Sequence, residues 1–375
     1  GAASLGGNIV ANVLNQEYEI TAVIDGSNYQ VEARTVSTIQ SITVSGGLNP
    51  TNVYSTSSDT NGGGTVTATY LLTAGLDTSV FGTGWGAGSW SRGTWDSSAS
   101  ISAAGQALGS WTQDNFGQSL LINAHNGNIY YWDYTSGFTS RAVPLSSLAG
   151  TDGFAPTVAK QVMVSDQAAH TIVFGCDPET SIGTQDPMLI RFSSVVNSRA
   201  ESLIVWKTEE TNSAGDLVLG SGSEIVTAVE TKQQIIVLTD TSIYSLQFLG
   251  PPLTYGVNMV SNNITVAGSF STVSIEDSVF WMGLSEFYVY DGGVKVIPCS
   301  VKDYVFNDFN DSQREKVCAG SNTAFTEVWW FYPSSTSSDN DRYVVYNYGQ
   351  NIWYFGNLGR TFWQDRGIDS NPTAA

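Results

Sequence analysis

The chain has 375 residues, of which 41% are hydrophobic and only 13% charged, and its formal net charge is −19 at pH 7. Charged residues normally make up about a quarter of a globular domain; here Gly, Ser, Thr and Asn replace them, which favours turns and strands over solvated helices. Only Arg34, Arg92 and Arg141 precede Lys160 among the cations, so the surface repels phosphate, which argues against a nucleic-acid-gripping protein and against binding to an anionic membrane.

The chain opens on Gly1-Ala2-Ala3-Ser4 without a methionine, and the expectation is a piece of a longer protein. Residues 1–76 alternate as strands do. Tyr18–Val23 and Tyr29–Ala33 flank Asp25-Gly26, a hairpin signal, and 39–44 and 66–72 read as two more strands. This part is expected to be a small β subdomain or inserted module. Residues 77–110 form a Gly/Ser/Trp-rich connector in which Trp85, Trp90 and Trp95 are spaced by glycine and serine. Three indoles held this way suggest docking on a neighbouring surface, and they are the candidate subunit-interface residues. Packing inside their own chain is the competing reading.

From Trp111 to Ala375 one pattern recurs: an apolar strand, a tight turn, an aromatic strand. The first copy runs from Ser119-Leu120-Leu121-Ile122 through Asn126-Gly127, the preferred type I′ pair, to Ile129-Tyr130-Tyr131-Trp132. A degenerate copy spans His170–Phe174 and Met188–Ile190. The others are Gln234–Leu238 with Ile243–Leu246, Ser278–Met282 with Phe287–Tyr290, and Glu327–Tyr332 with Tyr343–Tyr346. Repeats of roughly 40 to 50 residues are the period of four-stranded propeller blades, small sheets that must bury both faces against neighbours. The expected fold is therefore all-β: a β-propeller of four-stranded blades at 111–375 with the small N-terminal β module. A β-sandwich also fits simple alternation. A short helix within residues 303–317, capped by Asp311 or Ser312, is expected to connect two blades.

Little in the chain reads as chemistry. The two histidines, His125 and His170, lie at a hairpin turn and at the head of a strand, and no Gly-x-Ser-x-Gly elbow is present. No P-loop occurs. Cys176, Cys299 and Cys318 are spaced wrongly for zinc and odd in number, so they read as small buried hydrophobes in a reducing compartment. No cofactor, metal or catalytic residue is expected. Ser89–Trp95 resembles a sialidase-type box once, but Ser91 stands where that box has an aspartate. Glu209-Glu210 and Asp308 with Asp311 read as solvated charges rather than as a glycosidase pair. No run of apolar residues is long enough for a membrane helix.

Several stretches, in this order, resemble the tail-tube or nozzle proteins of podovirus-type bacteriophages, which are related to packaged-DNA stabilisation tail proteins. They are Asp114-Asn115-Phe116-Gly117 with 127–133; 222–226; Glu286-Phe287-Tyr288-Val289-Tyr290; Glu327–Pro333; 341–348; and Trp353, Arg360-Thr361 and Trp363. The resemblance implies a propeller subunit of a homo-oligomeric, hexameric ring in the virion tail. Such a ring assembles in the bacterial host cytoplasm and contacts portal, adaptor and other tail proteins. It passes double-stranded DNA without specific binding, retains the genome until ejection, and carries no catalytic residues. An acidic wall keeps DNA from adhering. The alternatives are a carbohydrate-binding propeller or adhesin, whose exposed Trp and Tyr would stack on sugars, and, more remotely, a glycosidase.

Overall fold

The structure is a computed structural model. It describes the strands within residues 20–55 by their backbone, and residues 108–137, 140–148, 153–195, 203–250, 253–365 and 371–375 with side chains. The chain divides into two compact units, Gly1–Thr73 and Ala74–Ala375.

The first unit holds an antiparallel meander of four strands, β1 (Ile20–Asp25), β2 (Asn28–Arg34), β3 (Ile39–Ser45) and β4 (Asn52–Ser55). As the hairpin signal predicts, β1 and β2 pair antiparallel, with Asp25 opposite Asn28. The fourth strand is Asn52–Ser55, which sequence reasoning passed over, and the strand expected at 66–72 lies outside the described residues.

The second unit is a β-propeller. Five four-stranded antiparallel blades follow one another. Blade 1 is β5 (Trp111–Phe116), β6 (Ser119–Ala124), β7 (Ile129–Trp132) and β8 (Val143–Pro144). Blade 2 is β9 (Ala159–Val164), β10 (Thr171–Cys176), β11 (Leu189–Phe192) and β12 (Gly215–Val218). Blade 3 is β13 (Ile225–Glu230), β14 (Ile235–Thr239), β15 (Ile243–Gly250) and β16 (Thr254–Ser261). Blade 4 is β17 (Thr272–Ile275), β18 (Ser278–Met282), β19 (Phe287–Tyr290) and β20 (Val294–Ile297). Blade 5 is β21 (Cys318–Asn322), β22 (Glu327–Pro333), β23 (Asn340–Asn347) and β24 (Ile352–Asn357). The first strands of successive blades lie against one another, from β5 with β9 to β17 with β21. The fourth strands form the outer edges. A two-stranded ribbon, β25 (Trp363–Gln364) with β26 (Thr373–Ala374), ends the chain.

The second strand of each blade explains why the chain stacks this way. A half-buried strand alternates apolar and polar residues, whereas a strand covered on both faces reads as an unbroken apolar run. In β10, Ile172 and Phe174 enter the core shared with blade 3, while Val173 enters the core shared with blade 1. In β14, Ile235 and Val237 face blade 2, and Ile236 and Leu238 face blade 4. In β18, Val279 and Trp281 face blade 3, and Phe280 and Met282 face blade 5. That two-sided burial excludes a sandwich with one solvated face per sheet.

Blade 5 turns Val328, Trp330 and Tyr332 toward blade 4. On its other face Trp329 stacks with Tyr343 and Trp363, at centroid distances of 5.1 and 5.9 Å. Trp363 lies so close over Gly320 that a Cβ there would overlap the indole ring, so only glycine admits it. Between blades 4 and 5 runs helix α1 (Lys302–Asp308), followed by a 3-10 turn, Asp311–Lys316. The connecting role agrees with the sequence reading, but the cap differs. Asn310, not Asp311 or Ser312, caps the turn by accepting a hydrogen bond from the Ser312 N–H at 3.1 Å. Asn310 is one residue further out, in extended conformation, where a side-chain oxygen can reach back to the orphan N–H groups.

Candidate functional site

Side-chain ties join the first strands of the blades. Asp114 in blade 1 accepts from the Val164 N–H at 2.7 Å. Gln161 in blade 2 donates to the Ala228 carbonyl at 2.7 Å and accepts from the Ala228 N–H at 2.8 Å, completing a backbone pair in blade 3. Glu230 accepts from the Asp166 N–H at 3.0 Å. Between blades 4 and 5 the Trp330 indole donates to the Ser271 carbonyl at 3.0 Å.

Where four blades contribute to one place, a polar cluster forms. His125 comes from the turn after β6, Lys160 from β9, Glu224 from the residue before β13, and Ser269 from the segment before β17. Lys160 pairs with Glu224 at 3.2 Å. The Ser269 hydroxyl donates to the Val226 carbonyl at 2.9 Å and lies 3.5 Å from His125 Nε2. Burial, helped by the positive charge of Lys160, pushes the His125 pKa down to about 3, so the ring is neutral at ordinary pH. A serine beside a neutral histidine invites comparison with a nucleophile and its base. The chemistry does not follow, because the hydroxyl proton is already directed at Val226. His125 Nδ1 is sealed from solvent and has no protein partner among the described residues, so no carboxylate orients the ring as a third member would. Sequence reasoning missed this approach: the two residues are 144 apart in the chain.

His170 is a core residue. Its Nδ1 meets the Ser193 carbonyl at 2.6 Å, and its ring is packed among Phe192, Phe248 and Tyr255.

Carboxylates are used repeatedly as backbone clasps. Asp177, directly after β10, accepts from the Thr157 N–H at 3.0 Å and the Thr157 hydroxyl at 2.7 Å. Asp240, directly after β14, holds Ser223 in the same way at 2.8 and 2.6 Å. Thr157 and Ser223 each stand two residues before the first strand of their blade, so the two clasps are equivalent, and in blade 1 His125 occupies the same place. Asp341 with Ser334 and Asp365 with Ser321 repeat the bidentate geometry in blade 5. The variable chain spacing of serine or threonine and aspartate hid this motif. Of the charges read as solvated, Glu209 is exposed and pairs with Lys207, whereas Asp308 is half-buried and accepts from Arg342 at 3.3 Å.

Cys176, Cys299 and Cys318 are free thiols; burial pushes the pKa of Cys176 up, and those of Cys299 and Cys318 up to about 11. None is a nucleophile under ordinary conditions. Among the described residues no group of three His, Cys, Asp or Glu could hold a metal ion, and no helix is long and apolar enough to cross a membrane. The candidate interface residues Trp85, Trp90 and Trp95, and the box at 89–95, lie outside the described residues.

No family model matches the chain, and no curated protein matches it. Among solved structures, it is similar to the extracellular domain of the putative one-component system BT4673 from B. thetaiotaomicron, at 10% identity and a TM-score of 0.43, covering 70% of this chain and 30% of that one. It is similar to Hsv2 of Kluyvelomyces marxianus at 7% identity and a TM-score of 0.36, covering 69% of this chain and 62% of that one. The computationally designed protein Ika8 matches at 10% identity and a TM-score of 0.40, covering 94% of this chain and 92% of that one. The chain thus spans less than two thirds of the first two, and likeness at this level carries no argument about what the chain does.

Proposed function

We propose that the chain is a structural component of a virion: a nozzle or tail-tube subunit of a short bacteriophage tail, lining the DNA conduit and retaining the packaged genome until ejection. The observation that carries this reading is how the polar and charged side chains are used. Asp177, Asp240, Asp341 and Asp365 each engage both carboxylate oxygens in clasping backbone and hydroxyl groups, and Lys160, Gln161 and Glu230 tie blade to blade. Such a scaffold holds shape rather than transforms a substrate. The propeller also covers nearly all of the region whose motifs resemble the tail proteins. With a net charge of −19, a wall built from several copies lets DNA slide past without adhering.

The test is native mass by light scattering with negative-stain imaging of the same sample, together with localisation of the chain on virions. Rings, or density at the tip of a short tail, are the expected result. A compact monomer that binds glycans on an array would overturn the reading in favour of a carbohydrate-binding propeller.

A further inference from the structure

The outer edges of the five blades are not alike. An unpaired edge strand offers a row of free backbone donors and acceptors, and proteins blunt it with brevity, proline or a charge. β8 is two residues long and ends in Pro144. β12 carries the exposed Asp216, and β20 the exposed Lys295. β16 and β24 have no such guard: their sequences, TYGVNMVS and IWYFGN, contain neither charge nor proline.

The flanking sequence of both strands is also free of charge, and a charged group that reaches β24 comes from the neighbouring strand β23, where the Arg342 guanidinium hydrogen-bonds the Asn357 side chain. No charged residue or histidine lies between Asp240 and Glu276, or between Arg342 and Arg360. Beyond Leu246, the last residue of β15 paired with β14, the β15–β16 hairpin continues as a two-stranded ribbon. Leu249, Leu253 and Met259 are exposed at 56%, 69% and 53% on this hairpin. On β24, Ile352, Tyr354 and Phe355 are exposed, and Tyr304 of α1 stacks on Phe355 at 4.1 Å.

We propose that β16 of one copy pairs edge to edge with β24 of a second copy of this chain. Two chains of net charge −19 repel each other wherever charged surface meets charged surface. Neither strand carries a carboxylate, so pairing the two edges sets no acidic side chain of one strand against one of the other. Main-chain hydrogen bonds supply the attraction, and the exposed side chains set the register. Because the two edges are different surfaces, the contact is heterologous, and copies join head to tail until a ring closes or a filament grows. The inference rests on the structural-subunit reading and adds the contacting strands to it.

Asn258→Lys on β16 and Tyr354→Lys on β24 place a charge on each edge at an exposed position. Light scattering should show the unaltered chain above the mass of a dimer and each variant at the mass of one chain, 40.2 kDa. An equimolar mixture of the two variants should give dimers and nothing larger, since each keeps one intact edge. Thermal melts of the variants matching the parent establish that both fold. Oxidation of Asn258→Cys mixed with Tyr354→Cys should link the two variants, while neither links to itself at those positions. An unaltered chain that stays monomeric at every concentration overturns the proposal, as does an Asn258→Lys variant that still dimerises through β24. Edge pairing in a protein absent from virions would sink the tail reading and leave this inference standing. Density at a tail tip with both lysine variants still assembling would do the reverse.

Discussion

The junction between blades 2 and 3 and the junction between blades 4 and 5 bury the same kind of surface by different means. Blades 4 and 5 meet through rings: Phe287 lies 4.9 Å from Trp330 and 4.7 Å from Trp353, and Tyr346 stacks on Trp353 at 4.6 Å. The indole N–H groups of Trp330 and Trp353 are satisfied by the Ser271 and Pro298 carbonyls. Blades 2 and 3 meet through a mixed core that includes Met163, Met188, Ile190, Ile235 and Val237, flanked by the polar ties of Lys160, Gln161 and Glu230. One junction draws its stability from apolar area, which is indifferent to pH. The other adds titratable groups in partly desolvated places, so its stability varies with pH.

The largest effect is expected at the aromatic junction. Trp330 is fully buried, and Trp330→Ala removes an indole whose neighbours cannot collapse into the space, at a cost of about 3–5 kcal/mol. Denaturant unfolding should show this as a lower midpoint, unchanged in size between pH 4.5 and 7. A deficit that varied with pH would blur the contrast between the junctions. Gln161→Ala tests the polar side. It orphans the N–H and carbonyl of the buried Ala228, each previously paired with the Gln161 amide, and should cost about 1–3 kcal/mol. A loss under half a kcal/mol would mean that water replaces the amide.

These two positions also show what the sequence displays and what it conceals. Tryptophan- and tyrosine-rich strands such as Glu327–Pro333 stand out, and unbroken apolar runs such as Ile235–Thr239 mark strands covered on both faces. The middle hairpins of all five blades were legible for this reason, including the weak copy in blade 2. The polar ties were not. Gln161 looks like any exposed glutamine until a neighbouring blade presents an unpaired edge, and Asp177 looks like a turn residue until Thr157 arrives from 20 positions earlier. Local pattern encodes which faces are apolar; the polar partners depend on how blades are placed around the axis. The meeting of His125 with Ser269 is of the same kind. The sequence singled out Trp85, Trp90 and Trp95 instead, and these lie outside the described residues.

Titration sharpens the comparison at smaller amplitude. Burial, with the Asp166 and Asp114 carboxylates adding to it, raises the Glu230 pKa to about 7 against hydrogen bonds from the Asp166 N–H and Ser165. From about 4.5 to 7 the folded chain therefore holds a proton that the unfolded chain has lost, and this group makes stability fall as pH rises. His125 acts with the opposite sign. With its pKa at about 3, the folded chain lacks a proton that the unfolded chain binds below 6.5, so stability falls as pH drops from 6.5 toward 3. Where the windows overlap, between 4.5 and 6.5, the two slopes oppose each other. Melting temperature measured against pH should show Glu230→Gln exposing a rise with pH in that interval, and His125→Gln exposing a fall. Parallel curves for the parent and both variants would remove pH sensitivity from this part of the propeller.

The smallest effect is expected where charge bridges two blades at the surface. Lys232 after β13 approaches Glu276 after β17 at 3.8 Å, with their side chains 65% and 79% exposed. Such a pair is screened by water and holds two flexible side chains for little return, so Lys232→Ala should change unfolding free energy by no more than about 0.5 kcal/mol. The result matters because it separates two uses of charge in an acidic chain. If Lys232→Ala is nearly silent while Gln161→Ala is not, blade cohesion comes from groups that complete buried backbone pairs, and the formal ion pair between blades 3 and 4 contributes almost nothing. If removing Lys232 destabilises as much as removing Gln161, relief of like-charge repulsion across the whole unit dominates. Raising the salt concentration should then erase the Lys232→Ala deficit and leave that of Gln161→Ala in place.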